Sequence, residues 1–145
     1  MAGSARQHGY RAALDEAGVA VDLPLIKPSD FDFDEAVAAA GELLALPDPP
    51  TAMFAASDAQ ALGALEAARR AGRAVPADLS VVSFDDTAVA AMASPPLTAI
   101  AQPFEDMGRV AVRTLVQLAD GTAPATSRLE LTTRLVVRES TAPPR

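Results

Sequence analysis

The chain has 145 residues, half of them hydrophobic, and a mean hydropathy of +0.16, which is enough apolar material for one ordinary domain with a core. A formal net charge of −7 argues against this chain alone holding a phosphate backbone, because nucleic-acid affinity needs clustered Lys and Arg. The absence of cysteine excludes disulfides, zinc–thiolate clusters and thiol catalysis, and the one histidine, His8, argues against a histidine metal site or a histidine base.

In chain order, residues 4–17 read as a helix, with Tyr10, Ala13, Leu14 and Ala17 at helical spacing and Gly18 placed to end it. A strand is expected over 21–26, at an edge or irregular position because of Pro24. A second helix over 34–46 carries Val37, Ala40, Gly41 and Leu44 along one stripe and closes at Pro47-Asp48-Pro49-Pro50. A buried strand over 52–56, a helix over 58–71 ended by Gly72 and a strand over 80–84 make the crossover unit of a parallel sheet. Arg69, Arg70 and Arg73 sit at that helix's end, where they complement its dipole. A short helix over 87–92, a strand over 98–101 and a long helix over 104–118 follow. From Leu129 to Val137 apolar and polar residues alternate, the period of a half-exposed extended segment, and the tail from Thr141 to Arg145 is expected to be mobile.

The sequence Pro76-Ala77-Asp78-Leu79-Ser80-Val81-Val82-Ser83-Phe84-Asp85-Asp86 ends a Val-rich strand on paired carboxylates. Open α/β sheets bind ligands beyond the carboxyl ends of such strands, which puts Asp85 at a crevice. The alternative is that Asp85 and Asp86 form a solvated turn or helix cap.

This stretch, with Pro95-Pro96-Leu97-Thr98-Ala99-Ile100-Ala101-Gln102-Pro103 after it, resembles the effector-binding module of the lactose and galactose repressor family of bacterial transcription regulators. Arg6-x-x-Gly9-Tyr10, Pro50-Thr51-Ala52-Met53-Phe54-Ala55-Ala56-Ser57-Asp58, Ala61-Leu62-Gly63, Met107-Gly108 and Leu135-Val136-x-Arg138-x-Ser140-Thr141 resemble the family's pattern in the same order. The resemblance implies an α/β fold: a parallel-sheet, Rossmann-like lobe of a type I periplasmic-binding-protein-like architecture, with the second lobe largely missing. Residues 1–100 and 126–140 would form the carboxyl-side lobe, and 101–125 would belong to the amino-side lobe. The helix-turn-helix of such regulators has no counterpart here, so the chain is expected to be a fragment, a decayed gene or the product of a misassigned start.

The resemblance also implies a sugar-like effector held by Asp85 and Arg6, with Ser57 and Asp58 in the family's usual Asn-Asp place and Gln102 on the crossing strand. A carboxylate can accept from two adjacent hydroxyls, and a guanidinium fork can donate to ring and hydroxyl oxygens. Ser57 is shorter than Asn and lacks its amide donor. Asp58 also suits a helix N-cap, and Phe104 is either an apolar wall of the crevice or helix core. Ser83 replaces the glycine usual before the aromatic.

No cofactor or metal is expected. A homodimer through the carboxyl-side lobe is expected, as is operator DNA contacted only through a missing amino-terminal domain. No apolar run reaches bilayer length and the opening residues form no signal segment, so a cytoplasmic chain is expected. A periplasmic sugar receptor of the same fold and a ligand-free dimerisation fragment are the alternatives, the latter because the helix over 58–71 is apolar on more than one face. An enzyme would need Asp58, Asp85 and Asp86 around Mg²⁺, but Lys27, the single lysine, comes too early for a phosphate-accepting receiver site, and Ser57 lacks the glycines of a nucleophile elbow.

Overall fold

The computed structural model describes residues 2–30, 32–122, 126 and 128–143. Helix α1 (Ala2–Glu16) is followed by a single 3-10 turn at Leu23–Leu25, then α2 (Phe33–Leu44), β1 (Ala52–Phe54), α3 (Asp58–Arg70) and β2 (Ser80–Asp85). The remaining elements are α4 (Ala88–Met92), β3 (Thr98–Ala101), α5 (Phe104–Ala119) and β4 (Arg134–Val136). The sheet order is β1-β2-β3-β4, with β1, β2 and β3 parallel and β4 antiparallel to β3. This is the expected α/β architecture. Three strands therefore deliver their carboxyl ends to one edge of the sheet.

Local chemistry sets the helix boundaries. The Asp32 side chain caps α2 by accepting from the Glu35 amide at 3.0 Å, while Glu35 reaches back to the Asp30 amide at 2.8 Å. Helix α3 ends on Gly72, whose φ of +67° is open to glycine at no steric cost. The Gly72 amide donates to Arg69 O at 3.2 Å and the Arg73 amide to Ala68 O at 2.9 Å, the paired bonds of a Schellman ending. In the last turn Glu66 accepts from both Arg69 and Arg70, which hold its carboxyl at about 2, below the usual carboxylate range.

The core lies between the sheet and the α2–α3 pair. Ala61, Ala64, Ala67 and Ala68 of α3 are buried together with Val37 and Ala40 of α2, Met53, Leu79, Val81 and Leu97. Helix α3 packs against both α2 and β2. Its several apolar faces are thus covered within the chain. Small residues let the helices approach closely: a Cβ added at Gly63 would stand 2.6 Å from the Ala36 Cβ and 2.9 Å from the Phe33 carbonyl oxygen.

Three expectations meet corrections. Residues 21–26 form no strand; Leu23–Leu25 turn as a 3-10 helix with Pro24 in its first turn, because proline has no N–H for a ladder and suits a helix start. The alternating segment does pair through β4, but Leu135 and Val137 are 58% and 71% exposed while Val136 is half-buried, so the apolar row faces outward. Thr141 and Ala142, expected in a mobile tail, are tied down: Thr141 Oγ1 lies 3.0 Å from Thr98 Oγ1, and the Ala142 amide donates to Ser80 Oγ at 3.1 Å. Residues 144 and 145 of that tail and the expected lobe boundary near 125 lie outside the described residues.

Gly63→Ala should destabilise the chain by about 1–3 kcal/mol through overpacking, which outweighs the roughly 1 kcal/mol that alanine adds in helix propensity. Denaturant unfolding checks this. A stabilised variant would mean that α2 and α3 are not in close contact.

Candidate functional site

The carboxyl ends of β1, β2 and β3 bring together Ala56, Asp85 and Gln102, and α1 lays Arg6 across them. Arg6 Nη2 is 3.1 Å from Asp85 Oδ1, and Arg6 Nη1 donates to the Ala56 carbonyl. Its guanidinium carbon stands 4.1 Å from the centroid of the Phe84 ring, close enough for a cation–π contact. Phe84 in turn meets Phe54 edge-on, with ring centroids 6.4 Å apart. From β3 the Gln102 side-chain amide donates to Asp85 Oδ1 at 2.6 Å, while the Gln102 main-chain N–H donates to Asp85 O at 3.1 Å. The Arg6 and Asp85 side chains are 13% and 20% exposed, largely shielded from bulk water.

The turn after β2 is held in a costly conformation. Asp85 and Asp86 have φ of +114° and +60°, and no glycine is present to relieve either. Each such residue costs on the order of 1–3 kcal/mol and persists only where its surroundings impose it. Asp86 Oδ1 is in ion-pair contact with Arg138 Nη2 at 2.7 Å, without hydrogen-bond alignment, and Asp58 Oδ2 accepts from both the amide and the hydroxyl of Thr87 at 2.7 Å. Ser83 Oγ donates to the other Asp58 oxygen.

Of the six residues singled out from the sequence, the structure gathers Arg6, Asp85 and Gln102. The other three have different surroundings. Ser57 is buried and caps α3, accepting from the Gln60 amide at 3.2 Å. Asp58 is the first residue of α3 rather than its cap, 4% exposed, with both carboxylate oxygens engaged by Ser83 and Thr87. Phe104 is 46% exposed rather than core, and lines a hollow of about 390 Å³ with Asp86, Gln102, Asp106 and Arg134. The three acids of the enzyme alternative go to three separate sets of partners, Ser83 and Thr87 for Asp58, Arg6 and Gln102 for Asp85, and Arg138 for Asp86, and among the described residues no group of three or more His, Cys, Asp or Glu could hold a metal ion. Sequence reasoning missed the Asp86–Arg138 pair, for which spacing carries no signal across 52 residues, and the Phe84 platform.

A larger hollow of about 660 Å³ opens beside the unpaired edge of β1. It is lined by Arg6, Tyr10, Lys27, Ser29, Phe54 and Gln60 among others. It includes Arg6 but neither Asp85 nor Gln102.

The model of the periplasmic binding protein-like domain matches residues 2–141. The chain belongs to that family. This periplasmic binding protein-like chain is 46% identical over 140 residues to the HTH-type transcriptional regulator CelR of Thermobifida fusca, covering 97% of itself and 41% of the relative. Its backbone matches a solved transcriptional regulator CelR–cellobiose complex with a TM-score of 0.88 and 48% identity, over 93% of this chain and 41% of that one. A regulatory protein of the LacI family from Chloroflexus aggregans matches with a TM-score of 0.85 and 30% identity, over 94% and 50%. The expected kinship with lactose and galactose repressor-type regulators is thereby borne out. The periplasmic binding protein-like chain spans about two fifths of the length of CelR.

A double-mutant cycle of Arg6→Met and Asp85→Asn should show a coupling of about 1–3 kcal/mol, the range for charge-assisted hydrogen bonds with partial burial. Additive effects on unfolding would mean that the two side chains do not meet.

Proposed function

We propose that the chain is the effector-sensing part of a LacI-type transcription regulator and takes a sugar or sugar-like molecule at Asp85, Arg6 and Gln102. The convergence of those three side chains at the carboxyl ends of three parallel strands carries this reading. A vicinal diol can donate to the Asp85 carboxylate while accepting from the Arg6 fork and the Gln102 amide, so a sugar edge can insert among groups that already satisfy one another. Similarity to a regulator solved with cellobiose supports the ligand class.

The role is noncatalytic: binding closes two lobes, and closure is relayed to DNA-binding elements that the parent regulator carries elsewhere. Residues 1–100 and 126–140 belong to the carboxyl-side lobe and 101–125 to the amino-side lobe. Helix α5 supports this division, since it buries no residue and leaves Val112, Leu115, Val116 and Leu118 more than half exposed. The parent is a cytoplasmic homodimer through the carboxyl-side lobe, and among the described residues no helix is long and apolar enough to cross a membrane.

Thermal unfolding with cellobiose and other sugars tests the reading. A cooperative transition raised by about 5–10 °C at a hundredfold excess over Kd, and not raised in Asp85→Asn, is expected. A cooperative transition indifferent to every sugar would contradict it.

A further inference from the structure

The strained turn that presents Asp85 is gripped by two residues outside the Arg6–Asp85–Gln102 cluster, Asp58 and Arg138. On one flank Asp58 is buried and spends its carboxylate on Ser83, two residues before Asp85, and on the amide and hydroxyl of Thr87, two residues after it. On the other, Arg138 of the carboxyl-terminal segment forms an ion pair with Asp86 at 2.7 Å and is itself tied to the start of β3: its Nη1 donates to Leu97 O at 2.7 Å and its amide to Thr98 Oγ1 at 2.9 Å. Neither grip touches the Asp85 side chain. Between them they fix the main chain on each side of two residues at φ +114° and +60°, a conformation that would relax if left unsupported.

We infer that Asp58 and Arg138 are positioning residues: through the left-handed Asp85–Asp86 turn they hold the Asp85 carboxylate against Arg6 and Gln102. The inference rests on the proposed role of Asp85 for its functional meaning, but its physical content is the geometry of the turn. Ser83 supplies one hydroxyl of the Asp58 grip. Specificity is set by this arrangement as well as by the contacting groups, because a carboxylate displaced by an ångström no longer meets two adjacent hydroxyls.

The main-chain bond from the Gln102 amide to Asp85 O gives a local readout that needs no ligand. In the full chain, Asp58→Asn and Arg138→Gln should each speed hydrogen exchange at the Gln102 amide by about tenfold or more, while the Ser80 and Ala55 amides, which bond to Thr51 O and Val82 O between β1 and β2, change little, the signature of local opening. Thr87→Val removes one hydroxyl from the Asp58 grip and should give the same pattern where Asp58→Asn does not fold. Unchanged exchange at Gln102, or a rise matched at Ser80 and Ala55, would overturn the inference, since a merely structural role loosens the whole sheet.

Cellobiose titrated into the same proteins separates the two readings. Local opening at Gln102 together with weakened cellobiose binding supports both. Local opening in the variants of a chain that ignores cellobiose even as wild type supports the positioning role and counts against the sugar reading alone.

Discussion

The buried carboxylate of Asp58 is the constraint on which the rest of the site depends. Placed at the first residue of α3, it joins the helix that packs the core to the turn that ends β2, through Ser83 and Thr87. A buried charge of this kind is tolerable only when its acceptor sites are filled, and two hydroxyls and an amide do so here. Because α3 is locked against α2 and the sheet, the turn inherits that rigidity. Asp85 then projects from a fixed frame toward Arg6 and Gln102.

The carboxyl-terminal segment completes the frame from the opposite side. Ser140 is fully buried where β2 and β3 begin to pair; its hydroxyl donates to Val81 O at 2.6 Å and accepts from the Thr98 amide at 2.8 Å, and its carbonyl accepts from the Val81 amide at 2.8 Å. One serine thus satisfies main-chain groups that the two strands do not satisfy for each other. Arg138, two residues earlier, carries the same segment's hold to Asp86. Elsewhere the chain leaves amphipathic elements uncovered among the described residues: the outward face of α5, the row Leu129, Leu135 and Val137, and the free edge of β1 beside the larger hollow.

Much of this was legible in the sequence because local signals and tertiary demand agree. The Val-rich run ending in Asp85, the helical spacing from Asp58 to Arg70 and glycines 18 and 72 fix elements within a residue or two. The ordered motifs around Arg6, Asp85 and Gln102 name side chains that the fold brings into contact. Legibility fails where partners decide. Pro24, which has no N–H for a ladder, suits the 3-10 turn at Leu23–Leu25 that stands in place of a strand over 21–26, and no periodicity says which face of Leu129–Val137 will be covered. The grip of Asp58 was hidden because an Asp at a helix start reads as a cap, whereas the neighbouring Ser57 caps α3 and frees Asp58 to reach Thr87. Arg138 stands in a quoted motif, but its pairing with Asp86 gave no signal because only the folded chain brings the two together.

The central claim is that a sugar enters among Arg6, Asp85 and Gln102, and the most direct measurement is an NMR titration of the isotope-labelled chain with cellobiose. The account predicts saturable shifts concentrated at the Arg6 side-chain N–H, the Asp85 and Asp86 amides and the Gln102 side-chain amide. Shifts confined to the hollow beside β1, or a spectrum that cellobiose leaves untouched, would contradict it.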